Sequence, residues 1–138
     1  MTHAEAEAEA NIKLLLEKSK TEPALNFLGI KILELKPGYS KLSIKLKPEF
    51  INAYGIIFGG ITMSLADEAF GYAVNSLKLP TVAAQFNIHF LLAPDNDDEL
   101  IAEAKVIKSG RRLAVAEVEV TSTKGKLIAK VSASGVPL

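Results

Sequence analysis

The chain has 138 residues, 49% of them hydrophobic, with 16 basic against 16 acidic side chains. That is enough for one domain with a real core and argues against disorder, while balanced charge argues against a nucleic-acid protein, which carries a basic excess. The absence of cysteine excludes disulfides, thiolate metal sites and cysteine nucleophiles, and His3 and His89 alone do not make a histidine-rich metal centre.

In chain order, MTHAEAEAEA lacks the basic and then apolar segments of a signal peptide. No apolar run reaches the ~18 residues of a membrane helix. A cytoplasmic, metal-free protein is expected. Ala4–Lys20 is rich in Ala, Glu, Leu and Lys and predicts a helix, frayed before Asn11, with a modest stripe of Ile12, Leu15 and Leu16. A short helical turn is expected over Pro23–Leu28. Residues 1–24 are thus an N-terminal helical extension to a domain over 25–138.

Ile30–Leu35, the Pro37-Gly38 turn signal, and the alternation of Leu42, Ile44 and Leu46 with Ser43, Lys45 and Lys47 predict a hairpin. One long helix runs from about Phe58 to Ser76 and stops before Pro80. Four strands follow: Thr81–Ala93, Leu100–Gly110, Arg111–Thr123 and Lys126–Val136. One long helix within a run of antiparallel strands is an α+β layout. VAAQFNIHFLLA is apolar on both faces in places, as expected of a strand at the sheet centre or of one at a subunit interface; the second is favoured.

The long helix opens on Gly59-Gly60 and carries Asp67 in its middle. A first helical turn has unpaired N–H groups and partial positive charge, glycine allows a carbonyl to come close, and such an end can hold an oxyanion. Asp67 shares its face with Met63, Ser64, Phe70 and Gly71, a setting that solvates a carboxylate poorly. Something to polarise a carbonyl and something to activate water are two parts of an acyl-transfer or hydrolysis site. The same residues also suit a tight turn, close packing and a structural hydrogen bond. Glu68, next door, falls with Ser64 and Tyr72 and is expected to be a solvated surface charge.

Asn52 through Asp67, N-A-x-G-x-x-x-G-G-x-x-x-x-L-A-D, resembles the signature of the phenylacetate-degradation type (PaaI-like) acyl-CoA thioesterases of the hotdog fold. The likeness continues through FNIHFLLAP (Phe86–Pro94), SGRRLAVAEVEV (Ser109–Val120) and GKLIAKVSA (Gly125–Ala133). It implies an antiparallel sheet wrapped around one long central helix. It also implies a homo-oligomer, a dimer with a continuous sheet and often a tetramer, with sites built from two chains. Acyl-CoA is the implied substrate, and no cofactor is needed because CoA belongs to the substrate. By this resemblance Asp67 activates water or attacks the thioester, the Gly59 N–H polarises its carbonyl beside Gly60, and Asn52 helps hold carbonyl or water.

The family usually has His-Gly-Gly, and Phe58 stands here in place of the histidine. The strand position that often carries Ser or Thr is near Ala83, with Thr81 two residues away as a substitute. Phe58 and Ala83 are therefore expected to line the substrate without donating hydrogen bonds. Lys108, Arg111 and Arg112 are candidates to clamp CoA phosphates, for which arginine is well suited, or simply a solvated turn. His89 lacks an orienting partner and is expected to be structural. An acyl-CoA thioesterase is the main reading. The alternative is a hotdog protein that binds or senses acyl-CoA without hydrolysing it, ahead of a hydratase or a purely structural role.

Overall fold

The computed structural model describes Met1–Leu138. Helix α1 (His3–Ser19) leads through α2 (Pro23–Leu28) into the hairpin of β1 (Ile30–Lys36) and β2 (Tyr39–Lys45). A 3-10 turn (Pro48–Phe50) precedes the long helix α3 (Gly59–Leu77). Then come β3 (Thr81–Phe90), β4 (Glu99–Ser109), β5 (Ala114–Ser122) and β6 (Leu127–Pro137). The six strands form one sheet in the order β1-β2-β4-β5-β6-β3, all neighbours antiparallel. Helix α3 touches every strand, so the sheet curls round it as expected for a hotdog fold.

The period-two pattern of the strands sets this packing. In β5, Ala114, Ala116, Val118 and Val120 are buried while Glu117 and Glu119 face outward. Together with Leu42, Ile44, Leu100 and Ile128 they meet Leu65, Ala69 and Phe70 of α3. Phe70 also meets Phe86 of β3 edge-on, with ring centroids 6.5 Å apart. The polar groups that this core encloses are paired: the Ser40 hydroxyl donates to the Ala69 carbonyl at 2.6 Å, and that of Ser76 donates to Ala73 and accepts from the Gly38 N–H.

Three expectations need correction. Helix α1 does not fray: it starts at His3, where the Thr2 hydroxyl accepts from the Glu5 N–H at 3.0 Å, and Ala8 is buried one turn on. Strand β3 ends at Phe90 rather than Ala93, because the Leu91 and Leu92 N–H groups both turn to the Ile128 carbonyl. And β3 is not at the sheet centre. It pairs only with β6 and forms one edge of the sheet, β1 forming the other. Its apolar residues Val82 and Phe90, with Leu91 and Leu92 beyond, are exposed on the single chain.

The two ends of α3 and the candidate active site

Helix α3 begins abruptly. Phe58, its N-cap, makes no side-chain capping bond, and the Ile61 N–H is taken by the Phe58 carbonyl at 2.9 Å. The N–H groups of Gly59 and Gly60 have no partner. A side chain at either glycine would displace a phenylalanine ring. A Cβ on Gly59 would stand 3.2 Å from the Phe90 ring, and one on Gly60 would stand 2.4 Å from the Phe58 ring. Phe58, which is 57% exposed, lies folded over the first turn of the helix. Gly60 is therefore the seat of that ring, and the ring closes off its side of the helix start.

Asn52 reaches this end through the tight loop before it. Ile51 and Ile57 pair across the loop, and Gly55 turns it with φ near 81°. The Asn52 Oδ1 accepts from the N–H groups of Tyr54 (2.9 Å) and Ile56 (3.3 Å), an Asx-type turn that fixes the loop. Its Nδ2 donor is left free. Asn52 and Gly59 line one crevice of about 290 Å³, walled by Phe90 and Leu92.

Asp67 lies elsewhere. It lines a separate crevice of about 230 Å³ with Met63, Ala83 and Phe86. Its side chain is exposed on the single chain, yet apolar neighbours desolvate it and raise its pKa above the usual carboxylate value. Ala83 indeed faces Asp67, and it brings no hydroxyl. Thr81 does not replace it: Thr81 is buried, and its hydroxyl donates to the Lys78 carbonyl at 2.7 Å. Eight residues separate Gly59 from Asp67, about 12 Å along the helix axis. One thioester carbonyl cannot touch both within one chain.

Lys108, Arg111 and Arg112 stand at the β4–β5 hairpin, exposed and in no ion pair. Register places this tip. Ser109 pairs with Ala114, Ala114 with Gly135, and Gly135 with Ala83. The arginines thus rise from the end of the sheet that carries Ala83 and Asp67, two strands or about 10 Å across. His89 is exposed on β3 opposite Lys130, away from Asp67.

Glu68 corrects the sequence reading. It is half-buried, facing the N-terminal arm, and its pKa is pushed up to about 8 by burial first, then by a hydrogen bond to Glu22 and the charges of Glu22 and Asp67. Glu22 also accepts from the Tyr72 hydroxyl at 2.7 Å. The local helix pattern held no sign of this, because the arm arrives from about fifty residues upstream. No group of three or more acidic or histidine side chains comes together in a metal-binding arrangement.

A family model described as the thioesterase superfamily matches residues 54–129. The chain is 33% identical over 102 residues to the acyl-coenzyme A thioesterase PaaI of Escherichia coli, covering 74% of this chain and 73% of that one. The solved structure of the E. coli PaaI protein, from its phenylacetic acid degradation operon, superposes with a TM-score of 0.88 at 27% identity, over 98% of this chain and 96% of the other. A hypothetical thioesterase of Streptococcus pneumoniae, solved with coenzyme A, superposes with a TM-score of 0.74 at 28% identity, over 78% and 84% of the two chains.

Proposed function

The chain belongs to the thioesterase superfamily as a PaaI-like member, and from that premise we propose that it hydrolyses acyl-CoA thioesters to the free acid and CoA. The observation that carries the reading is Asp67. It is a carboxylate with a raised pKa at the mouth of an apolar crevice, on a helix whose first N–H groups are unpaired. A raised pKa makes a carboxylate a better base.

Because Gly59 and Asp67 are about 12 Å apart along α3, the working site takes Asp67 from one protomer and Gly59 with Asn52 from its partner. The unpaired, uncharged edge of β3 supports pairing of two such chains edge to edge. The dimer is the minimal assembly, and a homotetramer is two of these pairs. Within the site, Asp67 takes a proton from water as the water oxygen attacks the thioester carbon. The Gly59 N–H, beside the free Asn52 Nδ2, stabilises the oxyanion. The C–S bond then breaks, and the departing CoA sulfur takes the proton from Asp67. Direct attack by Asp67, through an anhydride that water opens, uses the same geometry. Phe58, seated on Gly60, packs against the bound ester, and Ala83 lets it approach closely.

Lys108, Arg111 and Arg112 hold the CoA phosphates. The coenzyme A held by the Streptococcus pneumoniae relative supports a CoA ester as the ligand. No helix of the chain is long and apolar enough to cross a membrane, and a water-soluble CoA ester as substrate supports the cytoplasm as the place of action.

Phe58 in place of histidine and Ala83 in place of a hydroxyl residue favour one second reading, a binder of acyl-CoA that has lost hydrolysis. Thiol release from a panel of acyl-CoA esters separates the two. Asp67→Ala is expected to lower kcat by about 10²–10⁴-fold in a folded protein. Undiminished turnover would remove Asp67 from the chemistry, and saturable binding without any turnover in the wild type would establish the binder.

A further inference from the structure

The N-terminal arm and α3 enclose a cavity of about 410 Å³, walled by Leu15, Lys18, Glu22, Glu68, Gly71 and Tyr72. This is within the range of small-molecule sites, and the mechanism above gives it no task. Its position relative to Asp67 is informative. Gly71 lies one turn beyond Asp67 on the same side of the helix, about 6 Å along the axis. No atom stands within 4 Å of where its Cβ would be. The floor between Asp67 and the cavity is therefore bare backbone. On its opposite flank Asp67 opens to the crevice under β3, the side from which the Arg111–Arg112 hairpin is reached. A CoA ester with its carbonyl at Asp67 and its nucleotide toward those arginines has an unobstructed course for its acyl chain over Gly71 and under the arm.

The far end of the cavity is polar. The Tyr72 hydroxyl donates to Glu22 Oε1 at 2.7 Å, and the Glu68 and Glu22 carboxyl groups both line the cavity. Their carboxyl oxygens can accept from a hydroxyl at the end of a bound chain, with Lys18 on the same wall.

We propose that this cavity is the acyl subsite, admitting over Gly71 a medium-length acyl group that ends in a hydroxyl, which donates its hydrogen bond to the Glu22–Glu68 pair. The inference rests on the hydrolase reading and gives the N-terminal arm a part in choosing the substrate.

The test compares 6-hydroxyhexanoyl-CoA, hexanoyl-CoA and acetyl-CoA on wild type, Gly71→Leu and Glu68→Leu, by kcat/KM and by equilibrium binding. Wild type is expected to prefer the hydroxy ester over hexanoyl-CoA by about tenfold. Gly71→Leu, whose side chain enters open space, is expected to lower the ratio of either six-carbon ester to acetyl-CoA by at least about tenfold. Glu68→Leu is expected to erase the hydroxyl preference. If Gly71→Leu lowers all three esters alike or changes none, the acyl group does not pass this way and the inference is overturned. Absence of turnover in wild type would instead remove the hydrolase reading. The binding ratios would still decide the subsite, since unaltered selectivity in Gly71→Leu overturns it there too.

Discussion

The two ends of α3 are built on opposite terms. At the C-terminal end the polar side chains are settled within the chain. Asn75 donates to the Gly71 and Thr81 carbonyls and accepts from the Thr81 N–H, Ser76 holds Gly38, and Asn11 of α1 donates to the Ser76 carbonyl at 3.3 Å. At the N-terminal end two N–H groups are unpaired, no side chain caps the helix, and Tyr54, Ile56 and Phe58 stand exposed around it. A helix end costs stability when left open. One end of α3 is thus closed by the fold, while the other leaves donors open, as the proposed oxyanion site requires.

Mutations can break this contrast. The largest effect after Asp67→Ala should come from Phe70, 1% exposed beneath the settled half. Phe70→Ala is expected to cost about 3–5 kcal/mol in denaturant unfolding. Asn75→Ala, which leaves Thr81 groups without partners, should cost about 1–3 kcal/mol while turnover of the folded fraction is kept. At the open end the balance reverses. Gly60→Ala drives the Phe58 ring off its seat, and should lower kcat by about tenfold with little change in midpoint. A large stability loss there would show the open end to be structural after all.

The smallest effect lies between the two ends, and depends on pH. The folded pKa of Glu68 is raised from 4.5 to about 8, so the native state holds a proton that the unfolded chain releases. The stabilisation is fully present below pH 4.5 and is lost as pH rises through 8. Glu68→Gln should therefore flatten the decline in melting temperature across that window, and an unchanged decline would remove Glu68 as its source. For Asp67 the sign is the same for the proton but opposite for activity. Its raised pKa predicts an acid limb of kcat with a midpoint above the ordinary aspartate value, absent in Asp67→Ala.

Much of this was legible in the sequence. Alternation located β2 and β5 to within a few residues, and the glycines with Asp67 singled out α3 for the proposed site. Strand order was not legible, since a strand apolar on both faces reads alike at a sheet centre and at an edge; only pairing placed β3 outermost. The surroundings of Glu68 were hidden because Glu22 and Leu15 reach it by tertiary closure of the arm. Nor could sequence show that the Asn52 oxygen is spent on its own loop, which leaves the amide nitrogen as the group facing outward. Arg111 and Arg112 were candidates from the sequence, but their place at the Ala83 end of the sheet came only from register.

The sheet has two free edges, and they are guarded unequally. Both edges break register once, between Ile32 and Glu34 in β1 and between Ala83 and Gln85 in β3, but β1 carries Lys31, Glu34 and Lys36, charges that disfavour another strand. Strand β3, TVAAQFNIHF, contains no lysine, arginine, aspartate or glutamate. Growth by strand addition is thus open in one direction only. Two chains meeting through β3 would each present the charged β1 edge to the outside, so the sheet itself would stop growing at the pair instead of propagating as a fibre.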